Sequence, residues 1–452
     1  KYINNLLSGN CTVVLVDQVG ENPDKTKKRE VTRKLSPGTA IDLVSNNAPT
    51  ANNVICIVFN KGKDPSTKKD IFIAGVSIVD FMTGKSYCMQ IVSEPDDSKI
   101  FMDECYRIIH SYSPKEIIFG MLKKEREFSK DYLIKEFECS NIPVHYLTIP
   151  ERYCKISFME ELLSSVYKNH SCFNTIDYLD LSFTEESRIS FTYLLQFAFE
   201  HDSNIIEKLS KPVNERTSDR AVISSNAIHQ LDMVNNNKNN SLMKILNKCV
   251  TMMGRRKFQY SLLHPTTNIE LLTKRYDTID LLREQSHYKI LRDMKNIIDI
   301  ERIHRRIGLR RCHPDEMLGI ITSYDIIDTI IKYTCEHFGN DFCYLNKNII
   351  STFSRLRKDI NDIFDTDQLI KFKTLHDVSE TIFNNGVDTE IEHFSDRNIL
   401  IKGIFQEARN KFSKMVDDNK FVTGDSVVKI NWNSDEVIEL FCTENRGNKL
   451  KK

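Results

Sequence analysis

The sequence predicts a multidomain protein, α/β in its N-terminal part and all-α through most of the remainder, with a short β-rich end. Three observations lead there. Apolar runs of strand length, Val54–Phe59, Ile71–Asp80 and Ser86–Ile91, precede helix-like segments that alternate with further strands up to Val144–Leu147. Beyond Thr184 the apolar residues recur at intervals of three and four, the period of a helix with one buried face. Strand character returns at Val427–Trp432 and Val437–Cys442. A chain of 452 residues exceeds what one core supports, so two to four domains are expected. The pattern sets boundaries at 1–45 (α/β), 54–180 (α/β), 184–424 (helical) and 425–452 (β-rich).

Composition narrows the class. The 63 basic and 63 acidic residues cancel, which argues against a uniformly basic nucleic-acid binder and leaves room for local basic patches. Twelve cysteines lie scattered without a paired spacing, as in a reduced, intracellular protein. No apolar run approaches the ~18 residues of a membrane span, and no signal peptide is visible, so no membrane partner is expected. The chain opens at Lys1 inside a helical pattern, as a piece of a longer protein would.

Taken in order, Tyr2–Leu7 reads as the end of a helix and Thr12–Val16 as a buried strand. The basic stretch Lys25–Arg33 reads as a solvated charged loop, closed by Ser36-Pro37-Gly38-Thr39. Asn46–Asn53 is polar and linker-like. Lys61–Lys69 suits a flexible hairpin loop. Helices are predicted over Lys99–His110 and Phe128–Phe137, with Lys115–Phe119 as a buried strand between them. The strands then contribute Asp80 as their one acidic residue. An aspartate before Thr-Gly is most simply a turn former that hydrogen-bonds its own backbone.

In the helical part, Ser187–Glu200 carries Phe191, Leu194, Leu195 and Ala198 on one face. Ser241–Arg283 reads as two buried helices joined by a hard stop. Ser241 caps the first, whose face runs Leu242, Ile245, Leu246, Cys249 and Met252 or Met253, with Gly254 interrupting it and inviting a close approach by a neighbour. His264-Pro265 ends it, because the residue before proline avoids the α region. Asn268 caps the second, with Ile269, Leu272, Tyr276, Ile279 and Leu282 as its stripe. Pro314 with Asp315 and Glu316 fits a helix start. Ile349, Phe353, Leu356, Ile360 and Ile363, and again Ile401, Phe405, Ala408, Phe412 and Met415, hold the repeat of helices that pack nearly parallel over a long distance.

Several short motifs, in order, carry a family resemblance. They are Asp17-Gln18-Val19 with Pro23; Arg29-Glu30-Val31 with Arg33; Ser36-Pro37-Gly38-Thr39; Gly75, Asp80, Thr83 and Gly84; Gln230-Leu231-Asp232-Met233; Thr251, Met253, Gly254 and Arg256 followed by Leu262 and Pro265; and Asp299-Ile300-Glu301-Arg302-Ile303. Together they resemble the MutS family of DNA mismatch-repair proteins over nearly the whole chain. The resemblance implies that 1–45 ends a mismatch-recognition domain, 54–180 is an RNase-H-like connector, 184–424 is a core with long levers, and 425–452 opens a β-rich clamp. Asp17 in place of the family's Glu, the weakened 230–233 motif and the long 61–69 loop mark a divergent branch, viral or organellar.

The implied function is recognition of mispaired or damaged duplex DNA, coupled through the levers to an ATPase. The phosphate loop that would hold ATP and Mg2+, and the aromatic wedge of a Phe-x-Glu motif, are absent from this sequence. No catalytic residue or resident cofactor is therefore expected within it, and the dimer of the complete protein would form mostly through the ATPase domains. Arg446, Lys449 and Lys451, with Lys452, read equally as candidate contacts to DNA phosphates and as a solvated basic tail. Lys25, Lys27, Lys28 and Arg29 form a second basic stretch, read as solvated. Cys335, His337 and Cys343 lack the paired spacing of a zinc site. Arg255, Arg256, Arg305, Arg306, Arg310 and Arg311 read as surface or interhelix salt-bridge residues. The competing readings are a non-enzymatic helical scaffold, which the helical repeats alone would support, and an RNase-H-like nuclease, which would need carboxylates clustered around two metals.

Overall fold

At the N-terminus, helix α1 (Tyr2–Ser8) leads into an antiparallel hairpin of β1 (Val13–Glu21) and β2 (Lys27–Leu35), paired from Val13↔Leu35 to Glu21↔Lys27. The strand expected at Thr12–Val16 is present but buried on one face only: Val13 and Leu15 pack half-buried against Leu7 and Leu35, while Val14 and Val16 face out. The basic stretch around it is strand from Lys27 onward, not loop. The computed structural model describes residues 2–21, 27–41, 51–95, 99–122, 128–168, 174–214, 221, 223–233, 241–283, 288–338, 347–416, 428–431 and 439–443. Contacts divide the chain into one unit of Lys1–Cys312 with Thr322–Phe342, and a second of His313–Ile321 with Cys343–Lys452.

The first unit is built on a six-stranded mixed sheet. Strands β3 (Asn53–Lys63), β4 (Asp70–Asp80) and β5 (Lys85–Val92) are antiparallel neighbours. After helix α2 (Lys99–Tyr112), β6 (Glu116–Met121) pairs parallel to β3. After α3 (Lys130–Glu136), β7 (Val144–Thr148) pairs parallel to β6. Helices α4 (Ile156–Val166), α5 (Thr175–Tyr178) and α6 (Glu185–His201) follow, and the short β8 (Val213–Asn214) closes the order β7-β6-β3-β4-β5-β8. The strand begins at Asn53, so that residue belongs to the sheet and not to the expected linker, and Lys61–Lys63 extend β3 into the expected loop by pairing with Asp70–Phe72.

The continuous apolar run of β3 follows from burial on both faces. Ile55, Ile57 and Phe59 point into a core with Phe101, Cys105 and Ile108 of α2 and Leu133 of α3. Val54, Cys56 and Val58 point the other way, against Phe191, Leu194, Leu195 and Ala198 of α6. The face foreseen for Ser187–Glu200 is therefore correct, and what it packs on is this sheet. Gly75 makes that possible: a Cβ there would sit 1.9 Å from the Glu186 carbonyl carbon. Beneath the same helix, Ser190 Oγ lies 2.7 Å from Ser77 Oγ and donates to the Cys56 carbonyl. The described cysteines are free thiols, and burial raises those of Cys56, Cys88 and Cys105.

The unit continues through α7 (Ser225–Gln230), α8 (Leu242–Leu246), α9 (Met252–Leu263), α10 (Ile269–Arg283), α11 (Tyr288–Met294) and α12 (Ile300–Gly308). The first helix of the expected pair is two helices. Ser241 caps α8 by accepting from Lys244 N, but the chain leaves helix at Asn247, and Thr251 starts α9 by accepting from Gly254 N. A second N-cap within one apolar row splits it, because the Thr251 hydroxyl competes with the helical hydrogen bond the row would need. Gly254 is explained by that cap: its Cβ would meet Thr251 Oγ1 at 2.9 Å, so the close approach comes from its own turn and not from a neighbouring helix. The stop at His264 and the Asn268 cap, which accepts from Leu271 N, are as expected. The stripe of α10 is not buried: Ile269 is 78% and Tyr276 60% exposed.

Helix α13 (Pro314–Phe338) starts as expected at Pro314, with Glu316 accepting from His313 N. The second unit holds α14 (Lys347–Ile363), α15 (Thr366–Leu369) and α16 (Thr389–Val416). Asn384 Nδ2 donates to the carbonyls of Asn361, Asp362 and Phe364, closing the C-terminal end of α14. The rows foreseen on α14 and α16 lie on helices of 17 and 28 residues, yet Leu356, Phe412 and Met415 are exposed. Strands β9 (Lys429–Asn431) and β10 (Glu439–Phe441) pair antiparallel at the β-rich end. Among the described residues no helix is long and apolar enough to cross a membrane.

Candidate functional site

Three of the sequence motifs meet in the first unit. The turn between β4 and β5 supplies Asp80-Phe81-Met82-Thr83-Gly84. Asp80 Oδ1 accepts from Met82 N, and its carbonyl accepts from Thr83 and Gly84 N. Gly84 takes φ +74°, which a side chain resists, so Thr-Gly after the aspartate is a turn requirement. This is the turn-forming role expected of Asp80. Contrary to the expectation from sequence, Asp80 is not the strands' one acidic residue: Glu116, inside β6, is fully buried. Glu116 accepts from Ser36 Oγ at 2.6 Å and Gly38 N at 3.3 Å, and meets His145 Nε2 at 2.6 Å, tying the Ser36–Thr39 turn to the sheet. Among the described residues no three His, Cys, Asp or Glu gather to hold a metal.

Helix α9 brings Arg256 to Asp299 and Glu301, which precede and open α12. Arg256 Nη1 donates to Asp299 Oδ2 at 2.5 Å, and Nη2 to Asp299 Oδ1 at 2.8 Å and Glu301 Oε2 at 2.7 Å. Glu301 Oε1 accepts from Lys85 Nζ, at the start of β5, at 2.6 Å. Arg302 Nε lies 3.3 Å from Asp299 Oδ2 and is almost entirely buried. Burial alone would lower the pKa of Arg256; the hydrogen bonds and charges of Asp299 and Glu301 outweigh it and raise it. Burial likewise favours the neutral form of Glu301, and Lys85 and Arg256 overcome this to lower its pKa. The bidentate fork of arginine is what lets one side chain hold two carboxylates from one helix start.

Arg305 makes the second tie. It donates to the carbonyls of Phe81, Ile205 and Glu207, and its Cδ lies where a Cβ on Gly84 would sit 3.0 Å away. Burial lowers its pKa, to about 10. The salt-bridge role foreseen for the arginines is thus right for Arg256 and for Arg311, which pairs with Asp202 at 2.9 Å. Arg305 and Arg306 are buried and donate to backbone carbonyls, and so does Arg255, to Cys249. The physical reason is that Arg305 faces a turn and the end of a short helix, where carbonyls lack a partner within their own element. Arg302 was legible only as part of a motif, with nothing in its spacing to announce full burial.

Between the β4–β5 turn, the end of α2 and α9 lies a cavity of about 310 Å3. Tyr87, Tyr112 and Tyr260 face it, with Lys257 and the Lys85–Glu301–Arg256 chain in its wall. The candidate DNA contacts Arg446, Lys449 and Lys451, with Lys452, lie outside the described residues, as do Lys25 and Cys343. Cys335 and His337 lie near the end of α13, where His337 Nδ1 meets the Tyr333 carbonyl.

Comparison with known proteins bears on what this junction belongs to. Residues 226–422, from α7 to beyond α16, match MutS domain III. A DNA mismatch repair mutS homolog of Acanthamoeba polyphaga mimivirus is 24% identical over 92% of this chain and 39% of its own length. DNA mismatch repair protein MutS of Caldicellulosiruptor bescii is 25% identical over 96% of this chain and 45% of its own. That of Caldanaerobacter subterraneus is 26% identical over 96% and 46%. The chain is thus similar to MutS proteins along nearly its whole length, and to their domain III over 226–422. It spans less than half the length of each of these MutS relatives. Within the domain III match lie Arg256, Asp299, Glu301, Arg302 and Arg305, so the junction joins that domain to the sheet that precedes it.

Proposed function

We propose that this chain is the middle part of a protein that recognises mispaired or damaged duplex DNA and couples that recognition to an ATPase outside the sequence given. The observation that carries the reading is the domain III match over 226–422, together with relatives named for DNA mismatch repair that align along 96% of the chain. In this reading 54–180 is an RNase-H-like connector, which the order β7-β6-β3-β4-β5, with β3, β4 and β5 antiparallel neighbours and β6 and β7 parallel to β3, supports. The 184–424 stretch supplies levers, supported by helices of 25, 17 and 28 residues. The β9–β10 pair opens the clamp, and Arg446, Lys449 and Lys451 touch phosphates there.

The arginine junction then has a mechanical role. Arg256 and Arg305 fasten α9 and α12 to the β4–β5 turn, so a displacement of these helices is carried to the sheet without slack. The test is binding of the complete reading frame's product to a duplex with one G·T mispair and to its matched counterpart at fixed salt. Tighter binding to the mispair, weakened by ATP, is expected. Equal binding to both duplexes would remove the repair reading and leave the helical scaffold. The nuclease reading predicts metal-dependent strand cleavage; Asp80, engaged by its own turn, gives that reading no support.

A further inference from the structure

We infer that the cavity between the β4–β5 turn, α2 and α9 is a binding site for a small aromatic anion, a flat ring carrying one phosphate or carboxylate. Its size, about 310 Å3, is at the lower end of the range of small-molecule sites. Its aromatic wall is continuous: the rings of Tyr87 and Tyr112 lie 5.2 Å apart and those of Tyr112 and Tyr260 6.0 Å apart, near perpendicular. Rings at these separations leave edges and faces for a further ring to stack or meet edge-on.

The charge of the wall selects the sign of the ligand. Three cations, Lys85, Arg256 and Lys257, line it against two carboxylates, Asp80 and Glu301. Lys85 and Arg256 are engaged by Glu301 and Asp299. Lys257 is exposed, has no ion pair among the described residues, and stands over the Tyr260 ring with Nζ 5.5 Å from its centroid. An ammonium held at the face of an aromatic wall matches a ligand whose ring and negative group are joined. Two hydroxyls of lining residues, Ser111 Oγ and Thr83 Oγ1, have no hydrogen-bond partner, and Ser111 is 95% buried (5% exposed). A change of χ1 rotamer turns such a hydroxyl toward an occupant.

Two sources share this chemistry, nucleoside monophosphates and aromatic carboxylates. Calorimetric titration of the 452-residue chain with AMP and, separately, with 4-hydroxybenzoate distinguishes them. Adenosine and inorganic phosphate serve as half-ligands. Saturable binding of either probe is expected, weakened about tenfold by Lys257→Met with the melting temperature unchanged, since an exposed charge contact is lost and no packing is. Tyr260→Leu is expected to weaken the probe and its uncharged half-ligand alike. The site is overturned if neither probe saturates at millimolar concentration, or if binding is indifferent to both substitutions. Because the readout is a small-molecule titration, it stands or fails apart from the DNA comparison above.

Discussion

Arg256 shows how one side chain can decide whether two elements stay together. Its guanidinium is nearly buried and shared between Asp299, whose carboxylate is fully buried, and Glu301. Replacing it by methionine leaves Asp299, among the described residues, with Arg302 at 3.3 Å as its remaining cation. Breaking a buried pair in this way costs about 3 kcal/mol. Urea unfolding of Arg256→Met should show that loss, with Arg256→Lys recovering part of it by keeping the charge without the fork. Gly75 is a steric case: Gly75→Val would push its side chain into the Glu186 backbone, and a loss of ~3 kcal/mol or failure to fold is expected.

His304 is a titration case at the same scale. Burial lowers its pKa from the ordinary 6.5, Glu301 offsetting part of the shift, while Nε2 meets Tyr324 Oη at 2.5 Å. The unfolded chain takes up this proton first, so the contribution to stability is complete above pH 6.5 and declines as pH falls from there towards the depressed folded value. A His304→Asn variant should flatten stability in that window, as read by urea midpoints across pH.

At the scale of elements, α9 depends on its cap. Thr251→Ala should cost about 1 kcal/mol and Thr251→Ser much less, since serine keeps the acceptor for the Gly254 amide. Helix α10 presents the opposite situation, an apolar row facing outward. Tyr276→Lys and Ile279→Lys should change stability by no more than about 0.5 kcal/mol, as surface substitutions do. A much larger loss in thermal melts would mean that the row is covered. The apolar rows of α14 and α16 obey the helical period expected of them, and their exposure shows that period alone says which residues share a face, never what covers it.

For the whole molecule, the family reading makes a salt-dependent prediction. If Arg446, Lys449 and Lys451 touch phosphates in the complete protein, removing each should lower the slope of log affinity against log salt by about 0.9 and weaken mispaired and matched duplexes alike. An unchanged slope would place the DNA contacts elsewhere. A junction that only fastens elements makes a separate prediction. Arg256→Met should then alter the ATP dependence of DNA release more than the affinity for DNA without nucleotide.

Much of the chain was legible from local pattern, because strand runs and helical rows answer to the backbone's own periods. β3, β4, β5, α2 and α6 lie within a few residues of their expected bounds, and the caps Ser241 and Asn268 act as their side chains dictate. The motifs also carried the family resemblance, since they are short strings tied to particular backbone needs: the Gly84 turn, the Gly75 approach, the Thr251 cap. Tertiary structure alone decided that Arg256 serves Asp299 and Glu301, that Arg305 serves carbonyls, and that Arg302 is buried. It alone decided that the 187–200 helix lies on the sheet and that the tyrosines and Lys257 enclose a cavity. These are contacts between residues far apart in the chain, and neither composition nor spacing contains the distances that set them.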